Sequence, residues 1–327
     1  MPPEHSEFFT RLSYFGISTI DADGRPWATM LVGSSTTFIC VVSNIQLNVS
    51  AVLPEGDPFL SSVISTTHVS PRYFAGVGVD FSNRRRNKVA ELITSSKIVG
   101  SILHISLITN ESLRNWSKYI TIRKLEYHKR HSKIGADDRN ADNVTLNQEC
   151  RNIINQASTI FLATHSKKNR LFTEPPKKSA RHINNVFDNS SDIGLNHRGG
   201  SPGFIRTYEE NGSTYIIIPD FSGNRFYQSI GNIENDRVAG VVFPCFATGD
   251  MLHVTGITKN IYDDEAERIM PRVTLITRIK LTGHVWIEEA LNLKLLEPKT
   301  NSPYNPSIRY LATELEKIGK PAKSANN

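Results

Sequence analysis

The chain is poor in cysteine: its 327 residues include 3, and Cys40, Cys150 and Cys245 stand far apart. No CxxC pair and no even set of cysteines occurs, so a disulfide framework is excluded and an intracellular chain is expected. Long apolar runs are also missing, and none approaches the ~18 residues needed to cross a bilayer. The opening MPPEHSEFFTRL lacks a basic stretch followed by an apolar one, so no secretory signal is expected. The closing SANN is neither a peroxisomal nor an ER-retention tail, which leaves a cytoplasmic location as the expectation. Gly76-Val77-Gly78 lacks the third glycine and the helix of a dinucleotide fingerprint. His128-Lys129-Arg130-His131 has no second ligand pair, so no metal site is expected. Charge of neither sign dominates: 38 basic and 32 acidic residues give +6. That mild excess suits a small anionic ligand and does not call for nucleic acid. The Arg84-Arg85-Arg86-Asn87-Lys88 run has none of the aromatic interleaving of single-strand binders.

What is present is enough apolar material for packed cores, at 39% of residues against 21% charged. The length is natural for two domains. A helix over about Ser6 to Leu12 is followed by strand-like runs at Tyr14 to Ile20 and Trp27 to Val32. The Asp21-Ala22-Asp23-Gly24 turn joins those two runs. A third apolar run spans Thr37 to Ser43, and a short helix is expected near Phe59 to Ile64. A second region repeats this order. It has a helix over Leu146 to Gln156, then strands at Thr159 to Thr164, Gly203 to Tyr208, Thr214 to Ile218, Val238 to Phe246 and Met251 to Thr258. The polar, aperiodic residues 166–192 read as an inserted loop.

The two regions can be laid on each other. Tyr14-Phe15 aligns with Ile160-Phe161, Gly56-Asp57-Pro58-Phe59 with Gly223-Asn224-Arg225-Phe226, and Phe81 with Phe246. The offset between copies grows by about 20 residues where the second carries its insertion, as one insertion after a duplication would produce. Many short strands with few helices favour a mainly β (α+β) fold with two tandem split β-barrels and short flanking helices. The expected domains are a first barrel (1–110), a linker (111–144), a second barrel (145–292) and a C-terminal helix and tail (293–327). Ile308, Leu311, Leu315 and Ile318 form the stripe of that last helix.

His197-Arg198-Gly199-Gly200-Ser201-Pro202-Gly203-Phe204 comes first in a series of short motifs in the second copy. Pro219-Asp220-Phe221-Ser222-Gly223-Asn224, Gly231-Asn232-Ile233 and Thr248-Gly249-Asp250 follow it. In this order they resemble the FMN-binding split-barrel superfamily of pyridoxamine 5′-phosphate oxidase-like proteins, and most closely a tandem two-barrel subfamily. The first copy resembles the partner barrel through Gly24-Arg25-Pro26-Trp27-Ala28 and Asp80-Phe81-Ser82-Asn83-Arg84-Arg85-Arg86, but lacks the HRGG string. The resemblance implies bound FMN and two barrels packed as an internal pseudo-dimer with one well-formed site. It also allows whole chains to pair as homodimers. If the chain is an enzyme, the resemblance implies a flavin-dependent oxidoreductase that takes electrons from a reduced nicotinamide in solution for an unidentified small substrate.

The residues can be read for the same chemistry directly. Arg198 offers a planar fork suited to phosphate, and Gly199 and Gly200 allow close backbone approach. Phe204 and Phe226 could wall a ring, while Asn224 and Asn232 carry the donors and acceptors a flavin edge needs. The expected cofactor-binding set is His197, Arg198, Gly199, Gly200, Phe204, Asp220, Asn224, Arg225, Ser229 and Asn232. His197 reads equally as a ligand contact or as a buried histidine orienting a turn, and no catalytic residue is assigned. The alternation of a strand puts Arg84, Arg86 and Lys88 on one face and Arg85 opposite, and the run reads as a solvated barrel edge. The competing reading of the whole is a flavin-free, degenerate barrel pair that binds a ligand or a protein. Pyridoxamine-phosphate oxidase activity itself is the third, since one fold hosts several functions.

Overall fold

Helix α1 (Pro3–Thr10) starts on a proline and buries Phe8 and Phe9. It leads into β1 (Tyr14–Ile20), whose partner β2 (Pro26–Val32) returns through the expected Asp-Gly turn. The first half continues with β3 (Ile39–Ser43), β4 (Gln46–Val52), α2 (Pro58–Ile64), β5 (Arg72–Asp80), β6 (Arg85–Val99) and β7 (Ile102–Asn115). Then come β8 (Leu125–Tyr127) and β9 (Lys133–Asp138). The second half has α3 (Gln148–Gln156), β10 (Thr159–Lys167), β11 (Ser191–Gly199), β12 (Arg206–Glu210), β13 (Ser213–Pro219) and α4 (Gln228–Asp236). It ends with β14 (Val238–Pro244), β15 (Met251–Tyr262), α5 (Asp263–Ile269), β16 (Leu275–Glu288), β17 (Leu293–Leu295) and α6 (Ala312–Lys317). This computed structural model describes all residues except 35–37, 65–71, 116–117, 140, 142, 168–190, 224–226 and 320–327. The inserted loop expected at 166–192 therefore lies largely outside the described residues.

The chain is mostly strand. The first sheet runs β2-β1-β5-β6-β7-β4-β3, and a further β2–β4 pairing through Val32 and Val52 closes six of these strands into a barrel. The second sheet runs β11-β10-β14-β15-β16-β13-β12, which is the same order in chain sequence. It is not closed: among the described residues β11 and β13, which correspond to β2 and β4, share no pairing. Of the two split barrels expected, the first is present as a closed barrel, and a second is not formed among the described residues.

Strands β2, β5, β10 and β14 explain why their sequences run apolar without alternation: both of their faces are buried. On β2, Leu31 enters the first barrel's core, while Ala28, Met30 and Val32 face the other half. On β5, Phe74 points inward, and Ala75, Val77 and Val79 point across. Ile160 and Leu162 of β10 pack inside the second sheet, whereas Phe161 and Ala163 join the shared seam. Gly240 of β14 sits where β14 packs against β2. A Cβ there would fall 2.1 Å from the Pro26 carbonyl oxygen. Gly231, inside α4, meets nothing within 4 Å. Gly231→Ala is therefore expected to stabilise the protein by about 0.5–1 kcal/mol through helix propensity, read as a higher urea midpoint.

Residues 111–144 do more than link. β9 adds to the second sheet against β16, and β8 pairs with β17. Ile120 belongs to the seam, and buried Arg123 donates to Ser158 Oγ (2.7 Å) and Thr159 Oγ1 (3.1 Å) with its guanidinium 4.4 Å from the Phe246 ring centre. Of the C-terminal stripe, Leu311 is buried and precedes α6, whereas Ile318 is exposed and α6 itself buries nothing. Arg206 of β12 holds α6 through Glu314. No helix among the described residues is long and apolar enough to cross a membrane.

Candidate functional site

The open edge of the second sheet holds a cleft of about 440 Å³, within the range usual for small-molecule sites. Its walls come from the end of β11 (Asn196, His197, Arg198, Gly199) and from Pro219–Gly223 at the end of β13. Phe204, Tyr227, Ser229 and Ile230 add to them, with Lys118, Tyr119 and, from the first half, Arg86. The cleft thus lies between the two strands whose counterparts close the first barrel.

The first three residues of the HRGG string end strand β11, with His197 paired across from Phe161 and Arg198 from Ile160, and Gly200 follows the strand. Arg198 donates to Asp220 through one guanidinium nitrogen and to Ser229 Oγ (3.1 Å) through the other. Both charged side chains are about one-fifth exposed (21% and 19%). Of the two glycines, Gly199 lines the cleft and Gly200 is not among its lining residues. A Cβ on Gly199 would fall 1.9 Å from the Tyr119 carbonyl, and one on Gly200 would fall 2.5 Å from the Phe204 ring. The Gly200 N–H is already given to the Ser158 carbonyl (3.3 Å). These glycines are needed for close packing of strand, connector and ring. Asn232 is buried and donates to Thr164 Oγ1 (3.3 Å), away from the cleft. Asn224, Arg225 and Phe226 lie outside the described residues. The cleft therefore gathers His197, Arg198, Gly199, Phe204, Asp220 and Ser229 of the expected set.

Arg86 was expected on a solvated edge and is instead half-buried at the junction of the halves. It donates to His197 Nδ1 (3.2 Å) and to the His197 carbonyl (3.1 Å). Burial, and then the Arg198 charge, lower its pKa to about 10. Lys88, one strand step on, is buried and donates to Asn196 Oδ1 (3.0 Å) and Gln228 Oε1 (2.6 Å). The alternation read from sequence was correct in putting Arg86 and Lys88 on one face, which meets the second half and not water, but Arg84, expected with them, lies in the turn before β6 at φ 65°. Arg85 points the other way, to the Glu4 carbonyl (3.0 Å) and the Phe8 ring.

An arginine only donates, so His197 Nδ1 must accept and the ring is neutral with its proton on Nε2. Burial first, then Arg86 and Arg123, hold His197 well below the usual histidine range. Burial also lowers His253, whose Nδ1 donates across the seam to the Ala28 carbonyl (2.9 Å). An unfolded chain takes up these protons near the ordinary value of 6.5, while the folded chain resists until lower pH. Their contribution to stability is therefore whole above 6.5 and is lost as the pH falls below it. The urea midpoint is expected to be lower at pH about 5.5 than at about 7.5, and His253→Gln is expected to flatten part of that drop. Equal midpoints would count against it.

Tyr119 spans one side of the cleft. Its hydroxyl donates to the Ser222 carbonyl (2.6 Å) and its ring centre lies 5.4 Å from that of Phe221. Burial, then Asp220, raise its phenol pKa. Phe221 also lies 6.1 Å from Phe204. Lys118 and Tyr119 were not singled out from the sequence, because no motif marks them, and Phe221, although inside the Pro219–Asn224 motif, was not placed in the expected set, nor was Tyr227.

No protein-family model and no curated protein matches the chain. Among solved structures, one similar chain is a Lactobacillus delbrueckii protein described as a candidate pyridoxamine 5′-phosphate oxidase. It is 15% identical, with 35% of this chain and 93% of that one covered and a TM-score of 0.26. Another is an F420 reductase, 11% identical, with 35% and 98% covered and a TM-score of 0.25.

Proposed function

We propose that this chain binds a flavin of the FMN type in the cleft of its second half, at one site per chain. The two halves act in this reading as a single-chain pair, and the first contributes Arg86. The observation that carries it is the convergence of Arg198, His197, Phe204, Asp220 and Ser229 on one cleft at the unclosed sheet edge. The donor set fits the group. Arg86, Lys118 and Arg198 outnumber Asp220 in charge, as a phosphate-bearing ligand requires. Phe204, Phe221, Tyr119 and Tyr227 supply ring surface. Bound flavin would supply hydride or electron chemistry, with a reduced nicotinamide from solution as donor and a small molecule as acceptor. The chain's own part is to orient and to neutralise. Arg198 and Lys118 face the anionic end, the aromatic rings shield the ring system, and neutral His197 keeps a second full charge out of the buried wall.

One observation favours a second reading, a flavin-free ligand-binding module: Arg198 already has both terminal nitrogens engaged within the chain. An absorption spectrum of the purified protein, with mass identification of any released cofactor, separates the two. Flavin bands support the first reading. A colourless protein that takes up neither FMN nor riboflavin rejects it.

A further inference from the structure

The proposed reading leaves open what decides which ligands the cleft takes, and the Arg198–Asp220 pair bears on that directly. Arg198 offers a phosphate two parallel N–H groups for two oxygens, whereas Arg86, the other arginine among the described lining residues, is turned to His197. In this structure one of those groups is on the Asp220 carboxylate and the other on Ser229 Oγ. Asp220 is also the cleft's acidic side chain among the described lining residues, against Arg86, Lys118 and Arg198. A carboxylate and a phosphate present the same kind of oxygens to the same fork.

We propose that Asp220 is an internal competitor for the Arg198 fork, and that it sets the cleft's preference between phosphate-bearing and phosphate-free forms of one ligand. A phosphate must displace the carboxylate and then lie beside it, so Asp220 weakens binding of the anionic form. It leaves a neutral ligand that rests on the aromatic walls nearly untouched. The pair is partly open to water, so the exchange costs little. Asp220 is here a specificity-determining residue, and no bond is made or broken.

This inference rests on the flavin reading, and the experiment keeps the two apart. FMN, riboflavin and inorganic phosphate are titrated separately into the full chain, wild type, Asp220→Asn and Asp220→Ala. Flavin fluorescence follows the first two ligands, and the thermal midpoint follows phosphate. Both variants are expected to bind FMN about three- to tenfold more tightly than wild type, with riboflavin affinity unchanged. Their midpoints are expected to rise at lower phosphate concentration. Looser FMN binding with unchanged riboflavin binding would overturn the proposal, since Asp220 would then be orienting Arg198 for the phosphate. Equal changes for both flavins would also overturn it, by assigning Asp220 to the shape of the cleft. If wild type binds neither flavin, the flavin reading fails by itself, and the phosphate arm decides: tighter phosphate in the variants supports competition, and no difference overturns it.

Discussion

Phe161→Ala is expected to destabilise the protein by about 3–5 kcal/mol, the usual cost of deleting a buried aromatic ring. Phe161 is 1% exposed and belongs to the apolar seam that also holds Met30 and Val77 of the first barrel and Val242 and Phe246 of the second half. Its ring sits edge-on to His197, with centres 5.8 Å apart. The cavity would therefore open between the halves and not inside one of them. Both halves should respond together: urea unfolding should keep a single transition at a lower midpoint, and amide exchange should quicken in β2 as well as in β14. A defect confined to the second half, with β2 protected as before, would show that the halves fold independently and that the seam contributes little. Gly240→Ala probes the same seam by overpacking. It is expected to cost about 1–3 kcal/mol, because Pro26 and its strand must shift to make room.

Much of this arrangement was legible in the sequence, and the failures have physical causes. The β1–β2 hairpin was readable because Asp21 to Gly24 is a turn whose φ > 0 position is filled by glycine, between β-branched runs. Aligning Phe15 with Phe161 and Phe81 with Phe246 gave the shared succession of elements along the chain, whereas the common strand order within the sheets came only from the structure. β4 was missed although Gln46 to Val52 alternates cleanly, with Leu47, Val49 and Ala51 buried and Asn48 and Ser50 between them, so this strand signal was present and went unread. β11 was missed because His197, Arg198 and Gly199 carry a motif that suggests a loop, whereas the strand's apolar members, Ile193 and Leu195, precede it. Closure of one sheet and not the other rests on the single Val32–Val52 pairing, a difference no local pattern encodes. The basic run was misread for a similar reason. Alternation fixes which residues share a face, but only the packing of two halves decides whether that face meets water or the edge of another sheet.

Arg198→Ala is expected to weaken FMN binding about ten- to a hundredfold, the range for a lost hydrogen bond to a charged group. Two effects act in the same direction. The fork that would grip the phosphate is gone, and Asp220, no longer engaged with Arg198, presents its full charge to the incoming anion. Arg198→Lys should recover only part of the affinity, because an ammonium keeps the charge and loses the planar fork. Riboflavin carries no phosphate, so its dissociation constant should stay within about twofold in both variants. Arg85→Ala is the control. That side chain lies against Phe8, with a nitrogen on the Glu4 carbonyl, on the far side of its strand from Arg86 and His197. It should leave both flavins unaffected. Fluorescence titration of the two flavins into the four proteins decides the matter. Parallel losses for riboflavin and FMN in Arg198→Ala would assign the residue to the fold of β11, and a loss in Arg85→Ala equal to that in Arg198→Ala would reduce the effect to net charge. A loss confined to FMN and to Arg198 would put the phosphate at the open edge of the second sheet, where β11 and β13 fail to meet.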